Sequence, residues 1–177
     1  GEAIGRLEMH DNSVLRISDD LKIGAEENGN GYVLLDGNAV ATMGSGISVS
    51  EGAMSRGVLE VRGNALISSG NSAGPGESDL GFTDEGYLTL SVRPAATADV
   101  IVADSGKLYA RTLQQRDGTT MMTIEDSGQF HVFEVFEFAE PDLGNATVGG
   151  TSANPTSHIA AQPTSDMTIL IKDNGVM

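Results

Sequence analysis

The chain has 177 residues, which is enough for one domain with a sizeable core. Its 25 acidic and 10 basic residues give a formal net charge of −15, which argues against nucleic-acid binding through phosphates and against contact with anionic membranes. The sequence has no cysteine, which excludes disulfides and thiolate metal sites, and no apolar run approaches the ~20 residues that membrane insertion needs.

A phrase of similar residues returns at a fixed spacing in the first part of the chain. Gly5-Arg-Leu-Glu-Met is followed 26 residues later by Gly31-Tyr-Val-Leu-Leu, and then by Gly57-Val-Leu-Glu-Val. Apolar and polar residues alternate within each copy, as in a strand with one buried face. A period of this size indicates a solenoid, in which each repeat buries its apolar side by stacking on its neighbours.

Two shorter apolar segments complete each repeat. The pairs Val14-Leu15, Val40-Ala41 and Leu66-Ile67 keep the same spacing, and Leu21-Lys-Ile23 matches Ile47-Ser-Val49. Glycine interrupts nearly every window, and no apolar stripe of helical period is sustained. Three short strands per circuit therefore predict one rung of a parallel β-helix for each repeat.

Asn12, Asn38 and Asn64 occupy the same position in successive repeats. Asparagine tolerates the left-handed backbone conformation, so we expect these residues to adopt it where one strand bends into the next. Stacked amides can also pass hydrogen bonds from rung to rung. The three asparagines are thus predicted to form a structural ladder.

The turn over residues 25–31, Ala-Glu-Glu-Asn-Gly-Asn-Gly, is the best candidate for a cation site. Calcium binds several oxygens from carboxylates, amides and backbone carbonyls, which makes Glu26, Glu27, Asn28 and Asn30 candidate calcium ligands. The turn lacks the spacing of an EF-hand loop and of the nonapeptide calcium repeat. No other cofactor is predicted.

The pattern changes after the third repeat. Residues 68–85 are rich in Gly, Ser and Pro, and they predict a loop in place of the last strand of the third rung. A loop on a rigid scaffold is a common place for a binding site. We expect later repeats to begin at Gly86, Gly106 and Gly128, each of which follows the first glycine of the preceding repeat by 29, 20 and 22 residues, respectively. This alignment places three residues in the first inward column beside Leu7: Leu88, Leu108 and Phe130.

After Phe138 the repeat pattern ends. Residues 134–142 combine four acidic groups with aromatic residues and predict an irregular last rung, whereas 143–166 predict a linker or an extended surface segment. Residues 166–172 predict one last strand. The predicted organisation is a β-helix over 1–138 and a C-terminal segment over 139–177, which packs on the solenoid or on a neighbour.

The sequence offers few candidates for catalysis. His10, His131 and His158 are far apart in sequence, and no two have zinc-ligand spacing. Glu8 and Glu60 should lie two rungs apart in one outward column, but Leu34 falls between them, which is a poor centre for the paired carboxylates of a glycoside hydrolase. We therefore expect no catalytic activity.

The repeated sequence pattern Gly-x-Leu-x-Val-x-Gly-Asn-Ala, followed by a Leu-x-Ile-Gly strand, resembles the β-helical repeats of bacterial autotransporter passengers. It is similar also to repeats of large exported proteins of planctomycete and PEP-CTERM type. The resemblance is clearest over residues 5–67, weaker to residue 135 and absent beyond. It implies a secreted or surface-displayed right-handed β-helix used for adhesion, matrix or filament building, with some members acting on polysaccharides.

Together these observations predict an all-β chain, a single-stranded right-handed parallel β-helix of about six rungs with an irregular C-terminal segment. The predicted function is a structural or adhesive module of a larger bacterial protein, secreted or at the cell surface, that associates with itself or with neighbouring domains. One alternative is a polysaccharide-binding or polysaccharide-cleaving domain that uses the outward face near residues 68–85. A second alternative is a virion fibre or decoration protein.

Overall fold

The computed structural model describes residues 3–70, 86–132, 145–149 and 166–177. All of its regular elements are strands, and no helix in these ranges is long and apolar enough to cross a membrane. The strands are β1 (Ile4–Met9), β2 (Val14–Ile17), β3 (Leu21–Ile23), β4 (Asn30–Leu35), β5 (Val40–Met43), β6 (Gly46–Val49), β7 (Arg56–Val61), β8 (Leu66–Ser69), β9 (Tyr87–Leu90), β10 (Thr97–Val102), β11 (Lys107–Ala110), β12 (Thr112–Gln115), β13 (Thr119–Ile124), β14 (Gln129–Val132), β15 (Asn145–Gly149) and β16 (Asp166–Ile171).

These strands form three parallel sheets. Sheet A has the order β1-β4-β7-β10-β13-β16-β15, sheet B has β14-β11-β8-β5-β2, and sheet C has β12-β9-β6-β3. Apart from β15, neighbouring strands within each sheet are three places apart along the chain, so the backbone visits sheets A, B and C in turn. The chain is thus a parallel β-helix of five to six rungs, which confirms the predicted fold class.

The core is a set of continuous columns of apolar side chains inside the three sheets. In sheet A, Leu59 pairs with Val33 on one side and Val100 on the other, and all three are buried. The residues between inward positions, such as Val58 and Glu60, face outward and are half-buried. The buried side chains of all three sheets form one cluster. Each inward residue is therefore covered by its equivalents above and below, as expected of a stacked repeat.

The third rung keeps its last strand, contrary to the sequence prediction. Strand β9 pairs with β6 and places Leu88 beside Ile47 in sheet C. The loop predicted over residues 68–85 is wrong at its start, because Ser68 and Ser69 belong to β8, and residues 71–85 lie outside the described residues. The extra residues therefore displace the third strand along the sequence without removing it.

The sequence prediction assigned Leu88, Leu108 and Phe130 to the first strand of the later rungs, and this assignment is wrong. Leu88 lies in sheet C, and the other two residues lie in sheet B. Leu108 pairs with Ile67 in sheet B, and Phe130 pairs with Leu108 in the same sheet. Neither residue lies in the sheet A column of Leu7. The residues equivalent to Gly57 in the next two rungs of sheet A are Ala98 and Thr120.

The later rung is tighter, as the sequence indicated. Paired residues of sheet A lie 26 positions apart at Gly31 and Gly57 but 22 positions apart at Thr97 and Thr119. The shortening occurs mainly where sheet C returns to sheet A, because residues 116–118 connect β12 to β13 and residues 50–55 connect β6 to β7. The predicted 20-residue rung compares positions in different sheets and does not exist.

The C-terminal strand predicted at 166–172 is confirmed as β16. It pairs with β13 and so begins a sixth rung, which continues into sheet B through a bridge between Val176 and Gln129. Residues 145–149, part of the predicted linker or extended surface segment, form β15 on the outer edge of β16, since an exposed edge strand can pair with any extended neighbour. The predictions for 134–142 and for the remainder of 143–165 lie outside the described residues.

The asparagines stack where sheet A turns into sheet B. The Asn38 side-chain amide donates to Asn12 Oδ1 at 3.2 Å, and the Asn64 amide donates to Asn38 Oδ1 at 3.4 Å. The backbone follows the same ladder, with Asn38 N donating to the Asp11 carbonyl at 2.6 Å.

The left-handed residue of this turn is the one before the asparagine, not the asparagine itself. Asp11, Gly37 and Gly63 have φ values of 56°, 70° and 62°. The same conformation recurs in the later rungs at Asp104, Asp126 and Asp173. Short polar residues and glycine tolerate this region best, which explains why Asp and Gly alternate at the position.

We expect Asn38→Ala to destabilise the chain by about 1 kcal/mol, because Asn38 takes part in two amide bonds that are exposed and long. Asn64→Ala removes one of these bonds and should cost roughly half as much. Denaturant unfolding of both variants checks the order. Equal costs would show that the amide ladder contributes nothing beyond the backbone turn.

Candidate functional site

The outer face of sheet C carries a groove of about 340 Å³. We name it the sheet C groove. It is lined by Asp20, Lys22, Ser48, Glu51, Tyr87, Thr89, Val92, Gln114 and Arg116.

A row of polar side chains forms the floor of the groove. Strand pairing places Lys22, Ser48, Thr89 and Gln114 at one register position on four successive rungs. Neighbouring strands lie about 4.8 Å apart, so the row runs for about 14 Å along the solenoid axis. Ser48 and Thr89 are only 6% and 5% exposed, and Thr89 Oγ1 donates to Gln114 Oε1 at 3.4 Å. The floor therefore offers both donors and acceptors at a regular spacing.

One side of the groove is built by a contact across three rungs. The Tyr87 ring lies over Gly46, where a side chain would overlap three ring carbons. The Tyr87 hydroxyl donates to Asp20 Oδ1 at 2.9 Å, and the Gly46 N–H donates to the same oxygen at 2.9 Å. A glycine at position 46 thus lets one aromatic side chain connect the third rung to the first.

Burial and the neighbouring Asp20 carboxylate raise the pKa of Tyr87 to about 12 from its ordinary value of 10. Both causes favour the neutral phenol, because burial disfavours the phenolate and the hydroxyl donates to an anion. The folded chain therefore holds this proton more tightly than the unfolded chain. The contribution of Tyr87 to stability is complete below pH 10 and is lost as the pH rises toward about 12.

We predict that an ultraviolet titration of the folded chain shows one phenolate transition near pH 12 that disappears in Tyr87→Phe. Asp20→Asn should lower its midpoint, because the neutral amide no longer repels the phenolate. Tyr109→Phe is the control and should leave the transition in place. If Tyr87→Phe leaves it unchanged, the contact with Asp20 is absent in solution.

Glu51 and Lys22 form an ion pair in the groove. Lys22 Nζ lies 3.1 Å from Glu51 Oε1, and this hydrogen bond raises the pKa of Lys22. The second carboxylate oxygen, Glu51 Oε2, is buried and has no hydrogen-bond partner among the described residues. A buried acceptor without a partner costs free energy, and the Glu51 side chain as a whole is 32% exposed, so its carboxylate can accept from a hydroxyl or amide group of a ligand.

The groove is therefore suited to hold a ligand through hydrogen bonds. Its two carboxylates, Asp20 and Glu51, are matched in number by two cations, Lys22 and Arg116. Its floor is made of hydroxyl and amide groups, and the Tyr87 ring and Val92 add apolar surface. A few polar groups within a partly apolar concave surface are typical of small-molecule and carbohydrate sites.

The predicted calcium residues lie at the connection between β3 and β4, away from the groove floor. Glu26, Glu27 and Asn28 are exposed, and Asn28 has a φ of 57°. Asn30 is the first residue of β4 and pairs with Arg56. No cluster of three or more His, Asp or Glu residues that could hold a metal occurs within the described ranges. The calcium site stays a prediction.

The register of the two outward glutamates is as predicted, since Glu8 pairs with Leu34 and Leu34 pairs with Glu60. Each glutamate is bound by an arginine two positions away along the chain. Arg6 donates to Glu8 and lowers its pKa, and Arg62 Nε lies 2.8 Å from Glu60 Oε2. The hydrogen bond from Arg6 favours the ionised form of Glu8, so Glu8 is not poised as a proton donor at neutral pH.

Comparison with known proteins gives no family for this chain. No protein-family model matches it, and no curated protein and no solved structure matches it. The resemblance to autotransporter-type repeats therefore stays a prediction from the repeat motif. The fold itself rests on the strand pairing described above.

Proposed function

We propose that the chain is a structural and adhesive β-solenoid module of a larger bacterial protein, secreted or at the cell surface, without catalysis. Self-association, or pairing with neighbouring domains, is the interaction through which it builds larger structures. The observation that supports this proposal most directly is the set of strand edges that are unpaired among the described residues at the first rung. Strands β1, β2 and β3 each have one neighbouring strand among the described residues.

The first rung also exposes apolar groups. Ile4 is 79% exposed and Val14 is 63% exposed, and a cavity of about 320 Å³ opens at this end beside Leu7 and Leu21. Gly5 has open space where the equivalent Gly31 is closely packed. Unpaired edges and exposed apolar side chains favour the addition of another chain in the same parallel arrangement.

The test is assembly as a function of protein concentration, measured by light scattering and electron microscopy. Val14→Lys places a charge on the open rung and should suppress end-to-end assembly. Met121→Lys is the matched control, because Met121 is 48% exposed on the lateral face of sheet A in an interior rung. A chain that stays monomeric at all concentrations, or that assembles equally well in both variants, contradicts the proposal.

A second candidate function, polysaccharide binding, is favoured by the sheet C groove. The sequence predicted this binding site near residues 68–85. The groove lies instead across the four strands of sheet C, which are β3, β6, β9 and β12. Incubation with oligosaccharides followed by product analysis separates the functions: binding without cleavage supports an adhesive module, and cleavage supports an enzyme.

A further inference from the structure

We propose that the sheet C groove binds an uncharged polysaccharide lying along the solenoid axis. This inference rests on the adhesive part of the proposed function, for which it names a site and a class of ligand. The first observation is the shape of the floor. Ser48, Thr89 and Gln114 repeat their polar groups once per rung, and a polymer with hydroxyl groups at regular intervals matches such a row.

The second observation is the unused hydrogen-bonding capacity. Glu51 Oε2 is buried with no partner among the described residues, although Glu51 Oε1 is paired with Lys22. The Glu51 side chain is 32% exposed and its carboxylate can only accept, so a ligand that contacts Glu51 must donate to it. A sugar hydroxyl donates and accepts at once, and it can therefore satisfy Glu51 while also bonding to Ser48 or Thr89.

The third observation is the balance of charge, which decides between neutral and acidic polymers. Within the groove, Lys22 and Arg116 offset Asp20 and Glu51, so no excess positive charge attracts a polyanion. The whole chain carries a formal charge of −15, which repels polyanions at long range. An uncharged polysaccharide meets neither obstacle.

The length and sides of the groove fit an oligosaccharide better than a single sugar. The floor extends about 14 Å over four rungs. The Tyr87 ring is held flat against Gly46, and its position is fixed by the bond to Asp20 at 2.9 Å. A rigid aromatic side chain costs little conformational entropy when a ligand packs against it.

The experiment measures binding of neutral β- and α-glucan and mannan oligosaccharides of increasing length to the full chain by calorimetry. Polygalacturonate serves as the acidic counterpart. We expect at least one neutral series to bind, with an affinity that rises with length until the floor is filled. Thr89→Val, which removes a hydroxyl but keeps the shape, should weaken binding about five- to tenfold.

Thr123→Val is the matched control, since Thr123 faces outward on sheet A and should not affect binding. Absence of binding by every neutral series to a folded chain overturns the inference, and so does binding of polygalacturonate alone. Equal effects of Thr89→Val and Thr123→Val place the site elsewhere and overturn it as well. Cleavage of a bound oligosaccharide would instead overturn the proposed non-catalytic function while leaving the groove as the ligand site.

Discussion

Leu59→Ala should destabilise the solenoid by about 2–5 kcal/mol, one of the largest effects we expect from a single substitution. Leu59 is fully buried in an interior rung and contacts the rungs on both sides through Val33 and Val100. Removing most of its side chain leaves a cavity that neither neighbour can fill, because both are held by their own strand pairing. The loss combines the transfer free energy of the removed methyl groups with the cost of the cavity.

Val58→Ala is the control in the same strand. Val58 faces outward and is half-buried, so its truncation should cost less than about 1 kcal/mol. Circular dichroism in denaturant gives the two free energies of unfolding, and hydrogen exchange shows which rungs open. Because neighbouring rungs stabilise each other, Leu59→Ala should increase exchange in the rungs on both sides. Equal costs for the two variants would mean that the inward and outward assignments are wrong.

The first three rungs could be predicted from the sequence because their spacing never varies. A constant offset of 26 residues aligns Gly5, Gly31 and Gly57, and the structure pairs these residues directly. The same offset aligns Leu21 with Ile47 in sheet C. Where every position of a repeat keeps its character, the register follows from counting.

The later rungs could not be aligned by glycine alone. Glycine precedes strands of sheet C at Gly86 and of sheet B at Gly106, as well as occurring within sheet A at Gly31 and Gly57. An alignment of the repeats by their glycines therefore compared strands of different sheets after residues 71–85. The left-handed corner is the better marker, because Asp104 and Asp126 have the conformation of Gly37 and Gly63. This corner reads Gly-Asn at residues 37–38 and 63–64, Asp-Ser at 104–105 and 126–127, and Asp-Asn at 11–12 and 173–174.

The sheet C groove was not predicted because it depends on that register. Asp20 and Tyr87 are 67 positions apart and come together only when β9 is placed in sheet C. The sequence prediction put Leu88 in the column of Leu7, and therefore put Tyr87 in sheet A and not beside Asp20. The available signal was Gly46, a glycine at an outward strand position, which indicates close approach of another group.

Gly31→Ala should destabilise the chain by about 1–3 kcal/mol or more, even though it adds a single methyl group. Gly31 lies in β4, where a Cβ atom would overlap the backbone nitrogen of Gly24 and lie 2.8 Å from Ile23 Cγ2. These atoms belong to the corner by which the first rung returns to sheet A. Strand β4 is paired on both sides and cannot shift at low cost, and the overlapped Gly24 atom is backbone, so the strain is not relieved by a change of rotamer.

Gly5→Ala is the control, because it is the same residue type at the same repeat position and has no heavy atom within 4 Å of the added Cβ. It should be neutral or stabilising by up to about 1 kcal/mol, since alanine reduces the entropy of the unfolded chain. Fraying of the first rung could also hide a cost there, so an interior position is needed. Ala98 pairs with Gly57, is fully buried and already carries a methyl group at this position. Ala98→Gly should destabilise the chain by about 1 kcal/mol. Destabilisation by both Gly31→Ala and Ala98→Gly would show that the corner packing of each rung decides the residue, because a general preference of the repeat for glycine predicts that Ala98→Gly stabilises the chain.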